Sequence, residues 1–301
     1  MFIDKASIAI IPVRTCNLAC DFCDSNNITM TTRQLHNEIS QTFENAYKVM
    51  ATVSRMRLEL FLQGGELFQK KIPLKMYYNF FEKVVKQYNI EKINITTNLM
   101  TSNIVDIVKL VNKFNIQLVT SFDFEGRFKN SKAERLWFNN FQYCVKNCIK
   151  IPSVSIVGHK KNYQAVMSQK HQYHDHFLYI TKTSAYGFES YSDIGLEEFR
   201  VSENLKKKFY QFLLTNYPTE CKIQEAMSSN GMPHCRTCEY EVYYDRIILN
   251  CDGCNKHHEA ARFITKHQCF ACQYMTKCSM ECYRDDECYK WLYELIDNKG
   301  L

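Results

Sequence analysis

Short apolar runs alternate with amphipathic stretches through residues 7–181 of this 301-residue chain. Each apolar run is a few residues long, a length typical of strands. The predicted strands are Ser7–Val13, Leu58–Gln63, Lys92–Thr97, Ile116–Phe122, Ser153–Val157 and Phe177–Thr181. Between them, apolar residues recur every three or four positions, as in residues 31–53, where Thr31 or Thr32 is placed to cap a helix.

This alternation predicts an α/β fold, a partial (β/α)6 TIM-like barrel. Strands that alternate with helices form a parallel sheet with right-handed crossovers. Six such units are fewer than a closed eight-stranded barrel needs, so we expect an incomplete barrel or a strongly curved sheet. The carboxyl ends of the strands then share one edge, and reactive groups are expected there.

The alternation stops near Thr183, and the chain becomes rich in cysteine after Cys221. We therefore predict a barrel over residues 1–200 and a small cysteine-rich iron–sulfur domain over residues 201–301. A helix is expected at 202–217, within the second part. Metal would have to organise the remainder, because its pattern is irregular.

Composition narrows the class of protein. The chain is 46% hydrophobic and 23% charged, as in soluble globular proteins, and no apolar run reaches the length of a membrane helix. The amino terminus has no cleavage site of a signal peptide, so we expect a cytoplasmic protein. Fifteen cysteines in that compartment favour metal or redox chemistry over disulfides. The net charge of +6 suggests acidic partners or nucleic acid, but anionic clusters would offset it.

Three cysteines, Cys16, Cys20 and Cys23, follow the first predicted strand directly. Three thiolates leave one corner of a four-cornered metal centre open, and an open corner binds a reactant. The spacing favours three irons of a [4Fe–4S] cluster. Zinc is the alternative, and it would need Asp21 or Asp24 as a fourth ligand.

The second predicted strand ends in Gln63, Gly64, Gly65 and Glu66. Two glycines let a ligand approach the backbone closely, and the acid could take an ammonium group. A glycine kink at a barrel corner would explain the glycines alone.

With these motifs the sequence resembles the radical S-adenosylmethionine enzymes. Phe22 stands at the aromatic position before the last cysteine, and the segment 63–66 resembles the motif for the methionine amine, with Leu67 in place of the usual Pro. The later strand ends are similar to two further motifs, with Leu99 and Phe124 where glycine is usual. The resemblance implies cofactor-binding roles for Phe22, Gln63, Gly64, Gly65, Glu66, Thr97, Asn98, Ser121 and Asp123, and for Arg127 or Arg135 at the cofactor carboxylate.

The resemblance also implies a reaction. The open iron would bind S-adenosylmethionine, and one electron would cleave it to a 5′-deoxyadenosyl radical that abstracts a hydrogen atom from the substrate. The protein would position the reactants and exclude water.

Nine more cysteines, from Cys235 to Cys288, resemble the SPASM extension of that superfamily. By this resemblance two auxiliary [4Fe–4S] clusters would be held, one by Cys269, Cys272, Cys278 and Cys288, and the other by Cys235, Cys238, Cys251 and Cys282. The segment between Cys238 and Cys251 is expected to form a hairpin. A zinc ribbon of Cys235, Cys238, Cys251 and Cys254 is the alternative for one site.

Two residues beside these ligands are candidate catalytic groups. Cys254, left over by the two-cluster assignment, could donate a hydrogen atom, serve as a ligand or be inert. Asp252 could act as a base, as in sulfatase-maturing relatives, or simply form a turn.

The resemblance implies an enzyme that modifies a ribosomally made peptide or protein by crosslinking, epimerisation or oxidation. Oxidation of serine or cysteine to formylglycine is a second possibility. A zinc or iron–sulfur protein that binds nucleic acid or carries electrons is a third, from another class. Expected partners are a flavodoxin- or ferredoxin-type electron donor and, since only fifteen residues precede Cys16, a separate leader-peptide-binding protein if one is needed.

Overall fold

The computed structural model of the chain describes residues 5–23, 28–190, 196–221, 223–224, 238–251 and 256–259. Its strands are β1 (Lys5–Val13), β2 (Arg57–Gly64), β3 (Ile90–Thr97), β4 (Gln117–Ser121), β5 (Ser153–Gly158), β6 (Tyr186–Ser190), β7 (Cys238–Val242), β8 (Ile247–Cys251) and β9 (Lys256–Glu259). The helices are α1 (Thr32–Thr52), α2 (Leu74–Gln87), α3 (Ile104–Lys113), α4 (Ser131–Asn147), α5 (Lys160–Ser168), α6 (His174–Thr183) and α7 (Glu203–Asn216).

One sheet contains all of these strands, in the order β6-β5-β4-β3-β2-β1-β7-β8-β9. Strands β1 to β6 follow one another in space as they do in sequence, and each pairs in parallel with the next. Strand β7 extends the parallel part on the other side of β1, and β8 and β9 are antiparallel. This sequential order is that of a barrel rather than of a doubly wound sheet, which confirms the partial TIM-like barrel.

Local signals in the sequence account for the first helix. Thr31 caps α1, and it exchanges hydrogen bonds with Gln34 in a capping box. Leu35 and Ile39 lie four residues apart on the buried face of α1. Of the two expected capping residues, Thr31 is therefore the one used.

The sixth predicted strand is wrong. Residues 177–181 lie inside α6, and the sixth strand is β6, a few residues later. Phe177 and Ile180, three positions apart, are both buried, which is the spacing of a helix. A short apolar run does not separate a buried strand from a buried helix segment.

Beyond residue 200 the chain continues to build on the barrel. Phe209 of α7 stacks on Tyr163 of α5 with ring centroids 3.8 Å apart, inside the main hydrophobic core. The expected hairpin is confirmed, because β7 and β8 pair antiparallel with Cys238 opposite Cys251. The division at residue 200 stays a prediction. In the described part of the chain, no helix combines the length and apolarity needed to cross a membrane.

Candidate active site

The loop Arg14–Cys23, called here the cysteine loop, leaves the carboxyl end of β1 and is pressed against the end of β2. The Gly65 and Glu66 amides donate to the carbonyl oxygens of Val13 and Thr15, at 2.7 and 2.9 Å. A Cβ at Gly65 would lie 2.0 Å from the Thr15 oxygen, so only glycine permits this contact. The close approach expected of the glycines is therefore made by the chain's own backbone.

The three thiols of the cysteine loop influence one another electrostatically. Cys20 is buried, and burial raises its pKa to about 11, against the opposing effect of Arg127. The Cys16 and Cys23 thiols also contribute to that rise, which places all three within electrostatic reach. Burial likewise raises the pKa of Cys16. Such thiols keep their protons until a metal displaces them.

No group of three His, Cys, Asp or Glu side chains in the described ranges is arranged to hold a single metal ion. Thiolates around one zinc ion each lie about 2.3 Å from the metal and must converge tightly. Cysteines around a cluster each bind a different iron and are spread more widely. Asp24, one of the two acids considered as a fourth zinc ligand, lies outside the described residues, so zinc stays the alternative to a cluster at this loop.

Glu66 is buried and directed into the protein. Its carboxylate accepts hydrogen bonds from the Phe68 amide at 2.8 Å, the Thr97 hydroxyl at 2.7 Å and the Asn98 amide at 2.6 Å. Burial raises its pKa, and these bonds oppose the rise. The carboxylate ties the end of β2 to the end of β3. Its expected contact with a ligand's ammonium group stays a prediction.

Asn98 connects the end of β3 to the cysteine loop. Its side-chain amide donates to the Cys16 sulfur at 3.4 Å and to Asn17 Oδ1 at 2.8 Å. Asn17 in turn donates to the Met100 carbonyl at 2.8 Å. A donor beside sulfur favours the thiolate, the form that binds metal.

Leu99, where related motifs have glycine, has a left-handed backbone with φ of 56° and a fully buried side chain. Asn140 donates to the carbonyl oxygens of Leu99 and Thr101, both at 2.8 Å, and holds the turn. The departure from glycine keeps the backbone shape and adds apolar packing.

Arg127 and Asp123 form a buried ion pair beside the cysteine loop. Arg127 Nε donates to Asp123 Oδ2 at 2.5 Å, and the guanidinium lies 5.6 Å from the centre of the Phe22 ring. The other carboxylate oxygen accepts from the Val157 amide and from Asn162, at 2.8 and 2.7 Å. Burial raises the pKa of Asp123, and the guanidinium opposes that rise. Asp123 thus holds Arg127 through one oxygen and is itself held by Val157 and Asn162 through the other.

The structure separates the two candidate arginines. Arg127 is buried at the cysteine loop, and its Nη atoms make no hydrogen bond to the described residues. Arg135 is exposed on α4. Gln63 and Ser121 lie at the ends of β2 and β4, exposed and half-buried respectively.

Of the cysteines expected to hold auxiliary clusters, Cys238 and Cys251 lie in described strands and occupy paired positions in the register of β7 and β8. Cys238 pairs with Ala6, near the start of β1, whereas the cysteine loop follows the end of β1. The pair therefore marks a second location in the fold. Outside the described residues lie Cys235, Cys269, Cys272, Cys278, Cys282, Cys288, Asp252 and Cys254.

Two residues of the site were missed in the sequence. Asn162 holds Asp123, and His159 caps α5 by accepting from the Asn162 amide at 3.1 Å. The His159 ring packs 5.3 Å from Phe22 and 4.8 Å from Phe199, and burial lowers its pKa to about 4. Their signal was their place just after β5, at the same edge as the other site residues.

No family model matches the chain, and no curated protein matches its sequence. Similar folds occur among solved structures. Native anSMEcpe with bound AdoMet has a TM-score of 0.64 and 13% identity, with 98% of this chain and 97% of that chain covered. Coproporphyrinogen III oxidase (HemN) from Escherichia coli, described as a radical SAM enzyme, has a TM-score of 0.56 and 9% identity, with 82% of this chain and 66% of that chain covered.

Streptococcus suis SuiB bound to its precursor peptide SuiA has a TM-score of 0.51 and 15% identity, with 97% of this chain and 67% of that chain covered. The chain thus spans about two thirds of the length of HemN and of SuiB. At these identities the likeness concerns the fold, and the chain has the fold of the radical SAM enzymes.

Proposed function

We propose that this protein is a radical S-adenosylmethionine enzyme that modifies a residue of a ribosomally made peptide or of a protein, by crosslinking, epimerisation or oxidation. One observation carries the proposal. Three thiols share one loop at the carboxyl end of β1, beside a buried arginine whose Nη atoms make no hydrogen bond to the described residues. That combination is what a cluster with one open iron and a carboxylate-bearing cofactor requires.

Cys16, Cys20 and Cys23 would each bind one iron of a [4Fe–4S] cluster. When bound, the cluster would supply the electron that cleaves S-adenosylmethionine to methionine and a 5′-deoxyadenosyl radical. The chain's own contribution begins with the Asn98 amide, which donates to the Cys16 sulfur. It continues with Phe22, His159 and Phe199, whose packed rings exclude water from the loop.

Arg127 is the residue that we assign to the cofactor carboxylate. Asp123 holds its Nε, which leaves the two Nη groups to form a paired contact with a carboxylate. The remaining strand-end residues, Gln63, Gly64, Gly65, Thr97, Asn98 and Ser121, would frame the cofactor. Glu66 would act indirectly, through the strand ends that it joins.

A peptide substrate is favoured over a small metabolite by two considerations. SuiB, which shares the fold, binds a precursor peptide. The cysteines after residue 234 match the spacing of the SPASM extension, whose members act mostly on peptides and proteins. We propose two auxiliary [4Fe–4S] clusters on the ligand sets named above, and roles near them for Asp252 and Cys254. A low-potential electron donor would complete the system in the cytoplasm.

Metal content and cofactor cleavage test this function together. We would measure iron, sulfide and zinc per chain after anaerobic reconstitution, and the 5′-deoxyadenosine formed from S-adenosylmethionine under reduction. A Cys16→Ala, Cys20→Ala, Cys23→Ala variant removes the proposed ligands. A Cys144→Ala, Cys148→Ala, Cys221→Ala variant is the control, because it removes three thiols outside the loop.

We expect about twelve irons in the wild type and about eight in the first variant, with 5′-deoxyadenosine formed by the wild type and the control alone. About eight irons with one zinc in the wild type would indicate that a zinc ribbon stands in place of one proposed auxiliary cluster. Iron content unchanged by loss of the loop cysteines would refute the radical mechanism.

A further inference from the structure

A wide cavity opens beside the cysteine loop, between the β2–α2 and β3–α3 connections. Its volume is about 920 Å³, within the range of ligand sites. Asn17 of the cysteine loop and Met100 form part of its wall, and the residues assigned to the cofactor do not line it. The cavity lies on the carboxyl edge of the sheet but has no role in the function proposed above.

The rim of this cavity is positively charged. Lys70, Lys71 and Lys75 line it, and their ammonium groups make no ion pair or hydrogen bond with the described residues. Asp106 is the acidic residue among those that line it, and Lys109 pairs with it at 2.9 Å. The surplus of positive charge therefore faces the opening.

The backbone adds to this field. Helices α2 and α3 both begin at the cavity, and neither N-cap residue, Pro73 or Asn103, caps its helix with a side-chain hydrogen bond. Neither helix start therefore has a side-chain cap, although the Met76 amide of α2 donates to the Pro73 carbonyl at 3.0 Å. The positive ends of the two helix dipoles reinforce the lysines.

The floor, by contrast, is apolar. Phe68, Ile72 and Ile107 are buried there, and Tyr78 and Met100 are half-buried. A phosphate alone would leave this apolar floor unused, and a nucleic acid would need a longer basic track than three lysines. A segment with carboxylate and apolar side chains satisfies both the rim and the floor.

We propose that this cavity binds an acidic segment of the peptide or protein substrate, away from the residue that is modified. The inference rests on the proposed function, since it assumes a peptide substrate. The carboxylates of the segment would bind to the lysine rim and hold the substrate there while another part of the substrate reaches the cysteine loop. The two places are adjacent, because Asn17 of the cysteine loop forms part of the cavity wall.

Charge reversal at the rim tests the inference. The probe is a fluorescein-labelled peptide of alternating glutamate and leucine, and its binding to the anaerobically purified full chain is followed by fluorescence anisotropy at two salt concentrations. The variant is Lys70→Glu, Lys71→Glu, Lys75→Glu. The control is Lys132→Glu, Lys146→Glu, Lys170→Glu, which makes the same change in net charge at exposed lysines elsewhere.

We expect the rim variant to weaken binding of the peptide at least tenfold, and the control to change it less than twofold. Binding by the wild type should weaken as salt is raised, and a lysine–leucine peptide should not bind. An equal loss of peptide binding in both variants would show that only the net charge of the protein matters, and it would overturn the proposal. If an RNA oligonucleotide binds more tightly than the acidic peptide and displaces it, the proposal is also overturned, and the cavity would instead bind nucleic acid.

Formation of 5′-deoxyadenosine, measured on the same samples without peptide, separates the two proposals. The rim variant should form it as the wild type does, because the cofactor residues are unchanged. If the wild type forms none, the proposed function fails whatever the peptide result. If it forms 5′-deoxyadenosine and the rim variant binds the peptide normally, the cavity proposal fails alone.

Discussion

Leu99 permits a test in which the usual order of two substitutions is reversed. Its backbone φ is 56°, and a left-handed conformation costs a residue with a Cβ about 1–2 kcal/mol. Elsewhere glycine is about 0.5–1 kcal/mol less favourable than alanine, because it loses more backbone entropy on folding. The first effect exceeds the second, so Leu99→Gly should be about 0.8 kcal/mol more stable than Leu99→Ala.

Both variants should be less stable than the wild type. The Leu99 side chain is fully buried, and truncation of such a leucine costs about 2–5 kcal/mol, more than relief of the backbone returns. Leu110, fully buried inside α3, is the matched control. There the order should be the ordinary one, with the glycine variant about 1 kcal/mol less stable than the alanine variant.

Urea unfolding of all four variants at 25 °C measures these free energies by linear extrapolation. The decisive quantity is the glycine-minus-alanine difference at Leu99 compared with that at Leu110, because the cavity left by the side chain largely cancels within each pair. The same order at both sites would refute the assignment of strain to the turn after β3.

Three further predictions concern the site. Burial lowers the His159 pKa to about 4, so as the pH falls the unfolded chain takes up a proton before the folded chain does. The stabilising contribution of the neutral ring is present above pH 6.5 and is lost as the pH falls toward 4, and we expect the free energy of unfolding in urea to drop by about 3 kcal/mol. His159→Asn, which keeps a capping oxygen, should not show this drop. Gly65→Ala would place a methyl group 2.0 Å from a carbonyl oxygen of the cysteine loop, and it should abolish cluster assembly, measured as iron per chain. Gly187→Ala is the control, because the nearest neighbour of the added methyl group lies at 3.4 Å, and it should keep its iron. Equal iron in both variants would contradict the role of the close contact. Arg127→Lys keeps a positive charge beside the buried Asp123 but loses the paired Nη groups, so the KM for S-adenosylmethionine should rise at least tenfold. Arg135→Lys should change this KM less than twofold. The opposite result would assign the cofactor carboxylate to Arg135 on α4.

The sequence was sufficient to place the candidate site because its chemistry follows the strands. Cys16 comes three residues after the end of β1, and Gly65 directly follows β2. In a parallel sheet these ends must meet at one edge, so knowledge of the strands alone brings the residues together. The sequence predicts secondary structure less well where an apolar run is short. Residues 177–181 do not alternate between apolar and polar positions, so the run is as consistent with a buried helix segment as with a buried strand.

Other parts of the site depend on contacts that no pattern in the chain encodes. Asn162 reaches Asp123 from the segment after β5. Its place after β5 indicates the edge of the sheet that it lies on, but no pattern in the sequence indicates that it contacts Asp123. The inward direction of Glu66 results from three donors, one of them in the next residues and two at the end of β3. The cavity with its lysine rim forms only when the β2–α2 and β3–α3 connections are neighbours.

The pairing of β1 with β7 has a consequence for how the chain reaches its native state. Ile8 pairs with Tyr240, more than 200 residues later, whereas β1 also pairs with the nearby β2. Contacts of such long sequence separation form slowly, so during synthesis β1 is exposed as a hydrophobic edge until β7 has emerged. An exposed apolar strand of this kind recruits other chains. Truncation after residue 200 should therefore yield an aggregating protein rather than an isolated barrel.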